Sequence, residues 1–188
     1  MGNDMSKPEH TIIAWDKAMA KYGKFIKKAI ELGADEAKVI KTESIVTAPW
    51  VRWKCRYGCD VYNSGLCCPP HTPTYKETRE LVDSYKNALL LHFKESGQIR
   101  KDATDVAATL EREIFLDGYY KAYALGCGPC NLCAECSMNI CRHPDKARAS
   151  MESCGIDVFS TARDNGCKIE VVKDHTCQMN RYALVLIE

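Results

Sequence analysis

The densest group of potential metal ligands is a run of four cysteines late in the chain. They are Cys130, Cys133, Cys136 and Cys141, separated by two, two and four residues. A [4Fe–4S] cubane needs four thiolates around a small tetrahedron, and short spacers let one loop wrap around it. The bacterial ferredoxin run, C-x2-C-x2-C-x3-C-P, has a last spacer one residue shorter. The spacing therefore predicts that these four cysteines ligate a [4Fe–4S] cluster.

The same run allows two other interpretations. Structural zinc sites usually combine two C-x2–4-C pairs that are a dozen or more residues apart, so the close spacing here favours iron–sulfur over zinc and leaves disulfides third. Cys127 extends the run upstream by the same two-residue spacing, which permits an earlier register. The ending at Cys141, followed by Pro144, favours the later one. Cys141 is the least secure ligand, because the fourth cysteine of two-cluster ferredoxins serves the other cluster.

A second group consists of Cys55, Cys59 and Cys68, followed by Pro69 and Pro70. Three thiolates on one loop, with two prolines stiffening its exit, predict a second cluster site that lacks one protein ligand. The candidates for a fourth ligand are Cys67, Cys127 and Cys177.

Two alternatives remain for this second group. A zinc site completed by His71 or by a distant cysteine is one, and a thiol–disulfide site that uses Cys67 or Cys68 is the other. In the C-terminal part of the chain, Cys154 and Cys167 are singly placed, which is typical of cysteines that act as small buried hydrophobic residues.

Composition limits the class of protein. The chain has 188 residues, 46% of them hydrophobic and 27% charged, and its twelve cysteines are the unusual feature. A net charge of +1 does not favour nucleic-acid binding. No apolar run approaches the roughly 20 residues of a membrane span, and the N-terminus has no apolar segment of a signal peptide. We therefore expect a cytoplasmic protein of one domain.

The hydrophobic pattern predicts a single α+β domain with a small mixed or antiparallel sheet. The expected helices lie in 1–34, 74–85, from about 106 to near 126, from 144 onward, and in 157–165. The expected strands are 38–46, 87–93, 168–173 and 182–188. The two cysteine-rich loops, 55–70 and 127–144, join these elements. Trp50 and Trp53 flank the first loop, either shielding it from water or packing in the core.

Four segments carry a resemblance to a known family: Trp53–Cys59, Cys68–Pro70, Cys130–Cys141 and Ser150–Val158. Over roughly residues 35–188 the chain resembles a cysteine-rich family of predicted metal-binding proteins of unknown function, common in anaerobic archaea and bacteria. The resemblance implies an anaerobe and metal binding. By position, the family's cysteines fall on Cys55, Cys59, Cys68, Cys130, Cys133, Cys136 and Cys141, and it implies that Cys67 and Cys127 are additions in this sequence.

The leading functional hypothesis is intracellular electron transfer to or from a larger oxidoreductase, which is then the redox partner protein. It requires one [4Fe–4S] cluster at the later cysteines and a second at the earlier ones. The alternative is an enzyme that reduces disulfides or transfers sulfur at an incompletely ligated cluster, whose open iron binds substrate. A second alternative is an accessory protein that assembles or delivers clusters, or a zinc-binding module.

Overall fold

The structure is a computed structural model that describes residues 7–95, 102–174 and 177–188. Its centre is a four-stranded antiparallel sheet in the order β1-β2-β4-β3. The strands are β1 Glu36–Lys41, β2 Asn87–Glu95, β3 Tyr123–Leu125 and β4 Met179–Leu186. The helices are α1 Lys7–Leu32, α2 Pro49–Gly58, α3 Tyr75–Asp83, α4 Ala103–Leu116 and α5 Val158–Asp164. The prediction of a small α+β domain with an antiparallel sheet is confirmed.

Helices cover both faces of the sheet, which explains why its two central strands are almost continuously apolar. Side chains alternate between the faces of a strand. Leu89 and Leu91 of β2 pack on the face that carries α1 and α4, whereas Leu90 packs on the face that carries α3 and α5. Each face therefore has its own hydrophobic core, and the sheet separates the two.

Local capping interactions explain where several helices begin or end. Thr74 caps α3 in a capping box: its Oγ1 accepts from the Glu77 amide at 3.3 Å, and the Glu77 carboxylate accepts from the Thr74 amide at 2.7 Å. Gly33 follows α1 with φ +116°, a conformation that favours glycine after a helix. Asp157 caps α5 through the Ser160 amide. No helix in the described ranges is long and apolar enough to cross a membrane.

Several element boundaries were wrong. Strand β1 ends at Lys41, and a short 3-10 helix, Thr42–Ser44, takes the place of the expected continuation to 46. Helix α4 ends at Leu116 rather than near Gly126, because Gly118 adopts φ +100° and turns the chain into β3. No helix begins at residue 144, where the chain makes a turn, and residues 168–173 are irregular rather than a strand.

The sequence interpretation also missed α2. Pro49 occupies its first turn, where proline is well tolerated, and Cys55 lies on this helix rather than on a loop. The first cysteine region is thus a helix followed by a loop.

Candidate metal centre

The second cysteine loop is closed at its base by backbone pairing. The Gly126 amide donates to Ala149 O at 2.8 Å, and the Met151 amide donates to Gly126 O at 3.1 Å. A side chain on Gly126 would place its Cβ 2.5 Å from Thr104 Oγ1, so only glycine fits here. That close approach lets the Thr104 hydroxyl accept from the Cys127 amide at 3.1 Å. The loop therefore begins and ends at a fixed point beside α4.

An ion pair strengthens this base. The Arg148 guanidinium binds both carboxylate oxygens of Glu111 on α4, at 2.6 and 2.7 Å, and both side chains are mostly buried. Glu111 Oε2 also accepts from the Ala124 amide at 2.6 Å. A bidentate pair of this kind fixes orientation as well as distance. Arg148 thus supports the loop rather than facing the cysteines.

The structure brings the four cysteines of the predicted motif to one cavity of about 520 Å³, which we call the cluster cavity. Cys67 and Cys68 of the first region line the same cavity. Six cysteines thus line this cavity: Cys67, Cys68, Cys130, Cys133, Cys136 and Cys141. Soft thiolates in this number suit an iron–sulfur cluster or zinc.

Backbone amides point at two of these sulfurs. The Met138 and Leu66 amides hydrogen-bond to the Cys136 sulfur and lower the pKa of its thiol. The His143 amide donates to Cys141 Sγ at 3.4 Å. Amide donors stabilise thiolate charge, and hydrogen bonds to the sulfurs are one of the means by which proteins tune iron–sulfur clusters.

One residue in each cysteine region has left-handed backbone geometry without being glycine. They are Asn63, with φ +62°, and Met138, with φ +59°. Such a conformation is uncommon for methionine and persists only where surrounding structure holds it. At Met138 it accompanies an amide that points at the Cys136 sulfur.

The first cysteine region lines a smaller cavity of about 130 Å³, bordered by Cys55, Cys59, Cys67 and Cys68. Arg52 of α2 connects this region to Ser153, which follows the second cysteine loop. Its guanidinium donates to the carbonyls of Thr72, Pro73 and Ser153, at 3.2, 2.7 and 2.7 Å. The Leu66 amide of the first region hydrogen-bonds to the Cys136 sulfur of the second, so the two cysteine regions are in direct contact.

Thiols of the first region have raised pKa values. Burial raises the pKa of Cys55 and Cys68, and burial together with the neighbouring Cys130 thiol raises the pKa of Cys67 to about 12. Cys67 hydrogen-bonds to Cys130 and lies near Cys141, whereas Cys68 lies near Cys59. Cys67 therefore lies between the two cysteine regions, a contact that its position in the sequence did not predict.

The other candidate ligands are placed differently. Cys127 is buried outside the cluster cavity, accepts from Arg181 Nε at 3.1 Å, and has its pKa raised by burial to about 11. Cys177 lies beside Asp174 and borders neither cavity described so far. His71 is exposed and hydrogen-bonds to Asn63 at 2.8 Å, away from both cavities. Cys154, as expected, is buried in the core.

In the parts of the chain described above, no three His, Cys, Asp or Glu side chains are gathered tightly enough to hold a metal ion. A tetrahedral zinc site keeps its thiolates about 2.3 Å from the ion and therefore close together. The cysteines instead surround a cavity, so ligation requires the thiols to close around whatever metal group they bind.

Comparison with known protein families identifies the family to which this chain belongs. The family model described as predicted metal-binding protein (DUF2284) matches residues 38–187, about four-fifths of the chain. The chain belongs to this family. The family is predicted to bind metal, and its description names no particular metal. Neither the curated proteins nor the solved structures gave a significant match.

The family match spans both cysteine regions and all of the sheet except the first two residues of β1. It excludes the whole of α1, which packs on the sheet through Tyr22 and Phe25. Trp50 and Trp53, which flank the first region, do not pack in the core: their exposed fractions are 44% and 62%.

Proposed function

We propose that this protein binds a [4Fe–4S] cluster at Cys130, Cys133, Cys136 and Cys141 and carries electrons inside the cell. The observation that supports the proposal most directly is that all four cysteines line one cavity of about 520 Å³. A cluster of several metal and sulfide atoms needs more room than a single ion, and the open arrangement of the thiols suits it better than zinc.

When bound, the cluster supplies one-electron redox chemistry. The surrounding chain holds its ligands and tunes their charge. Amides of Leu66, Met138 and His143 stabilise two of the thiolates, and Arg142 adds positive charge at the cavity wall. Donors and cations beside a cluster favour its reduced, more negative state. Cys130 is exposed, so the cavity opens to the surface where a larger oxidoreductase would approach as redox partner.

A second cluster is proposed at Cys55, Cys59 and Cys68. Among the candidates for its fourth ligand, Cys67 borders the same small cavity, and Cys127 approaches Cys55 and Cys59 from another side. Cys177 borders neither group of thiols, so its position gives no support to that assignment. Because Cys67 also lies beside Cys130, the two clusters would be close enough to exchange electrons.

One observation favours the enzyme alternative, in which an incompletely ligated cluster handles disulfides or sulfur. A cavity of about 530 Å³ with mostly apolar walls lies beside Cys55 and Cys59. An electron carrier has no need of such a cavity, whereas an enzyme needs space for substrate next to the reactive centre.

Anaerobic purification followed by iron and acid-labile sulfide analysis tests the main proposal. We expect about four irons and four sulfides per chain for one cluster, or about eight of each for two. Cys167→Ser, at a half-buried position outside the cysteine cavities, is the matched control and should keep the full content. Stoichiometric zinc without sulfide would contradict the proposal.

A further inference from the structure

The cavity of about 530 Å³ beside Cys55 and Cys59 has the walls of a small-molecule site. It lies between α2, the beginning of α5, the irregular segment after α5, and the beginning of β4. Apolar and aromatic side chains form most of it, among them Trp50, Val158, Phe159, Ile169, Val171 and Tyr182. Its volume lies within the range of about 300–1,000 Å³ that is usual for ligand sites.

Most polar side chains on the wall already have partners within the protein. Asp157 accepts from the Ser160 amide and hydroxyl, Asn180 hydrogen-bonds to His92, and Arg181 binds Glu95 and the Cys127 sulfur. These groups orient the wall and are not free to bind a ligand.

Glu152 is the exception. It borders both this cavity and the small cysteine cavity, and its Oε2 atom is buried without a hydrogen-bond partner among the described residues. A buried acceptor without a donor is destabilising, and such atoms are rare in folded proteins. The expected complement is a donor that arrives with a ligand.

We propose that this cavity binds a flat, apolar small molecule that carries an N–H or O–H donor, which Glu152 accepts. Trp50 and Phe159 supply aromatic surface on which a ring can stack. Cys55 and Cys59 border the same space, so the bound molecule lies against the first cysteine region. The proposal deepens the enzyme alternative by naming its substrate class, yet the cavity itself is formed by protein side chains and does not depend on a cluster.

Equilibrium dialysis of the anaerobically purified full chain tests this proposal with two probes of nearly equal shape. Indole has an N–H donor, and benzothiophene has none. Glu152→Met removes the acceptor while keeping the length of the side chain, and replacing a buried unpaired polar group by an apolar one of similar shape is well tolerated. We expect indole to bind about fivefold more weakly to this variant and benzothiophene to bind as before.

A second variant tests the cavity by changing an exposed residue of its wall and leaves the buried residues of the wall unchanged. Val171 lies on the wall with an exposed fraction of 71%, so Val171→Trp should fill the space and abolish binding of both probes. Leu116→Trp, at an exposed position away from the cavity, is the control and should bind both.

Absence of indole binding at millimolar concentration, or binding that survives Val171→Trp, would overturn the proposal. Equal effects of Glu152→Met on both probes would overturn the role of the donor. Iron analysis of the same samples separates this result from the main proposal: a chain that holds no iron but binds indole through Glu152 refutes the cluster and upholds the cavity.

Discussion

Cys136 of the second cysteine region and three cysteines of the first have thiol pKa values that are shifted in opposite directions. In the first region burial raises the pKa values of Cys55, Cys67 and Cys68. In the second, amide donors lower the pKa of Cys136. A thiol must lose its proton to bind a metal, so Cys136 is prepared for ligation, whereas ligation at Cys55, Cys67 and Cys68 must also overcome the cost of burying a thiolate.

The regions also differ in how they are built. The second is one loop, closed at its base by pairing between Gly126 and Ser150, and its four cysteines share the cluster cavity, with Cys130 also at a neighbouring one. The first divides its thiols between α2 and the following loop, and they border more than one cavity. A site assembled from one closed loop completes its coordination locally. A site divided among several elements has space beside it, which is where the large apolar cavity lies.

The largest effect is expected at Cys136. Its Ser variant should lose about four irons, the content of a complete cluster, because the hydroxyl is a poor ligand and the amide donors then face no thiolate. Iron and sulfide analysis of anaerobically purified protein measures this. Cys127→Ser serves as the comparison and should keep its iron, since Cys127 lies outside the cluster cavity. If Cys127→Ser loses the iron and Cys141→Ser keeps it, the earlier register of the motif is correct.

A smaller loss is expected at Cys141, because Cys67 lies near it and hydrogen-bonds to Cys130. In Cys141→Ser, the Cys67 thiol is positioned to replace the missing ligand, so part of the iron should remain. The double variant Cys67→Ser with Cys141→Ser should lose as much iron as Cys136→Ser. Equal losses in the single and double variants would show that Cys67 does not reach the cluster.

The alkylation rates of the iron-free protein test the difference in thiol pKa between Cys136 and Cys67. The thiolate is the reactive form, so a lowered pKa gives more reactive cysteine at a given pH and a raised pKa gives less. At pH 8 iodoacetamide should modify Cys136 more than about tenfold faster than Cys67, whose pKa is raised to about 12. The ratio should shrink as the pH rises, because the Cys67 thiol then begins to ionise. Mass spectrometry of the labelled peptides gives both rates, and equal rates would contradict the contrast.

The sequence predicted those parts of the structure that are determined by residues close together in the chain, and it failed where contacts between distant residues decide. The helix that begins after Thr74 and the apolar central strands follow local rules, and both were predicted. Helix α2 was missed because Val51 is its only buried side chain among the described residues, so no apolar stripe marks it. Helix α4 was predicted to be too long because apolar residues at helical spacing continue to Ala122, beyond the turn at Gly118.

For the candidate site, spacing predicted which cysteines of the second loop act together, since those residues are neighbours in sequence. It did not predict that Cys67 meets Cys130, because that contact joins distant parts of the chain and depends on the whole fold. Glu152 lies in a segment that carries the family resemblance, but nothing in the sequence marked its side chain as buried. Its burial between two cavities, with one carboxyl oxygen unpaired, depends on the whole fold.

The smallest effect is expected at the base of the second loop, where Arg148 binds Glu111. Arg148→Met leaves the mostly buried Glu111 carboxylate with the Ala124 amide as its remaining partner. Removing one member of a fully buried pair costs about 3–5 kcal/mol, and the partial exposure of this pair lowers the expected cost to about 2 kcal/mol. For a chain of this size that corresponds to a fall of about 5 °C in the thermal unfolding temperature.

Adding Glu111→Gln to Arg148→Met should recover part of this loss, because glutamine removes the unpaired charge and still accepts from the Ala124 amide. Both variants should keep their iron, since Arg148 does not border the cluster cavity. Loss of iron in Arg148→Met at a temperature where the protein is folded would mean that the ion pair also positions the ligands. In that case the second loop depends on α4 for its coordination, and the contrast between a locally closed site and a divided one does not hold.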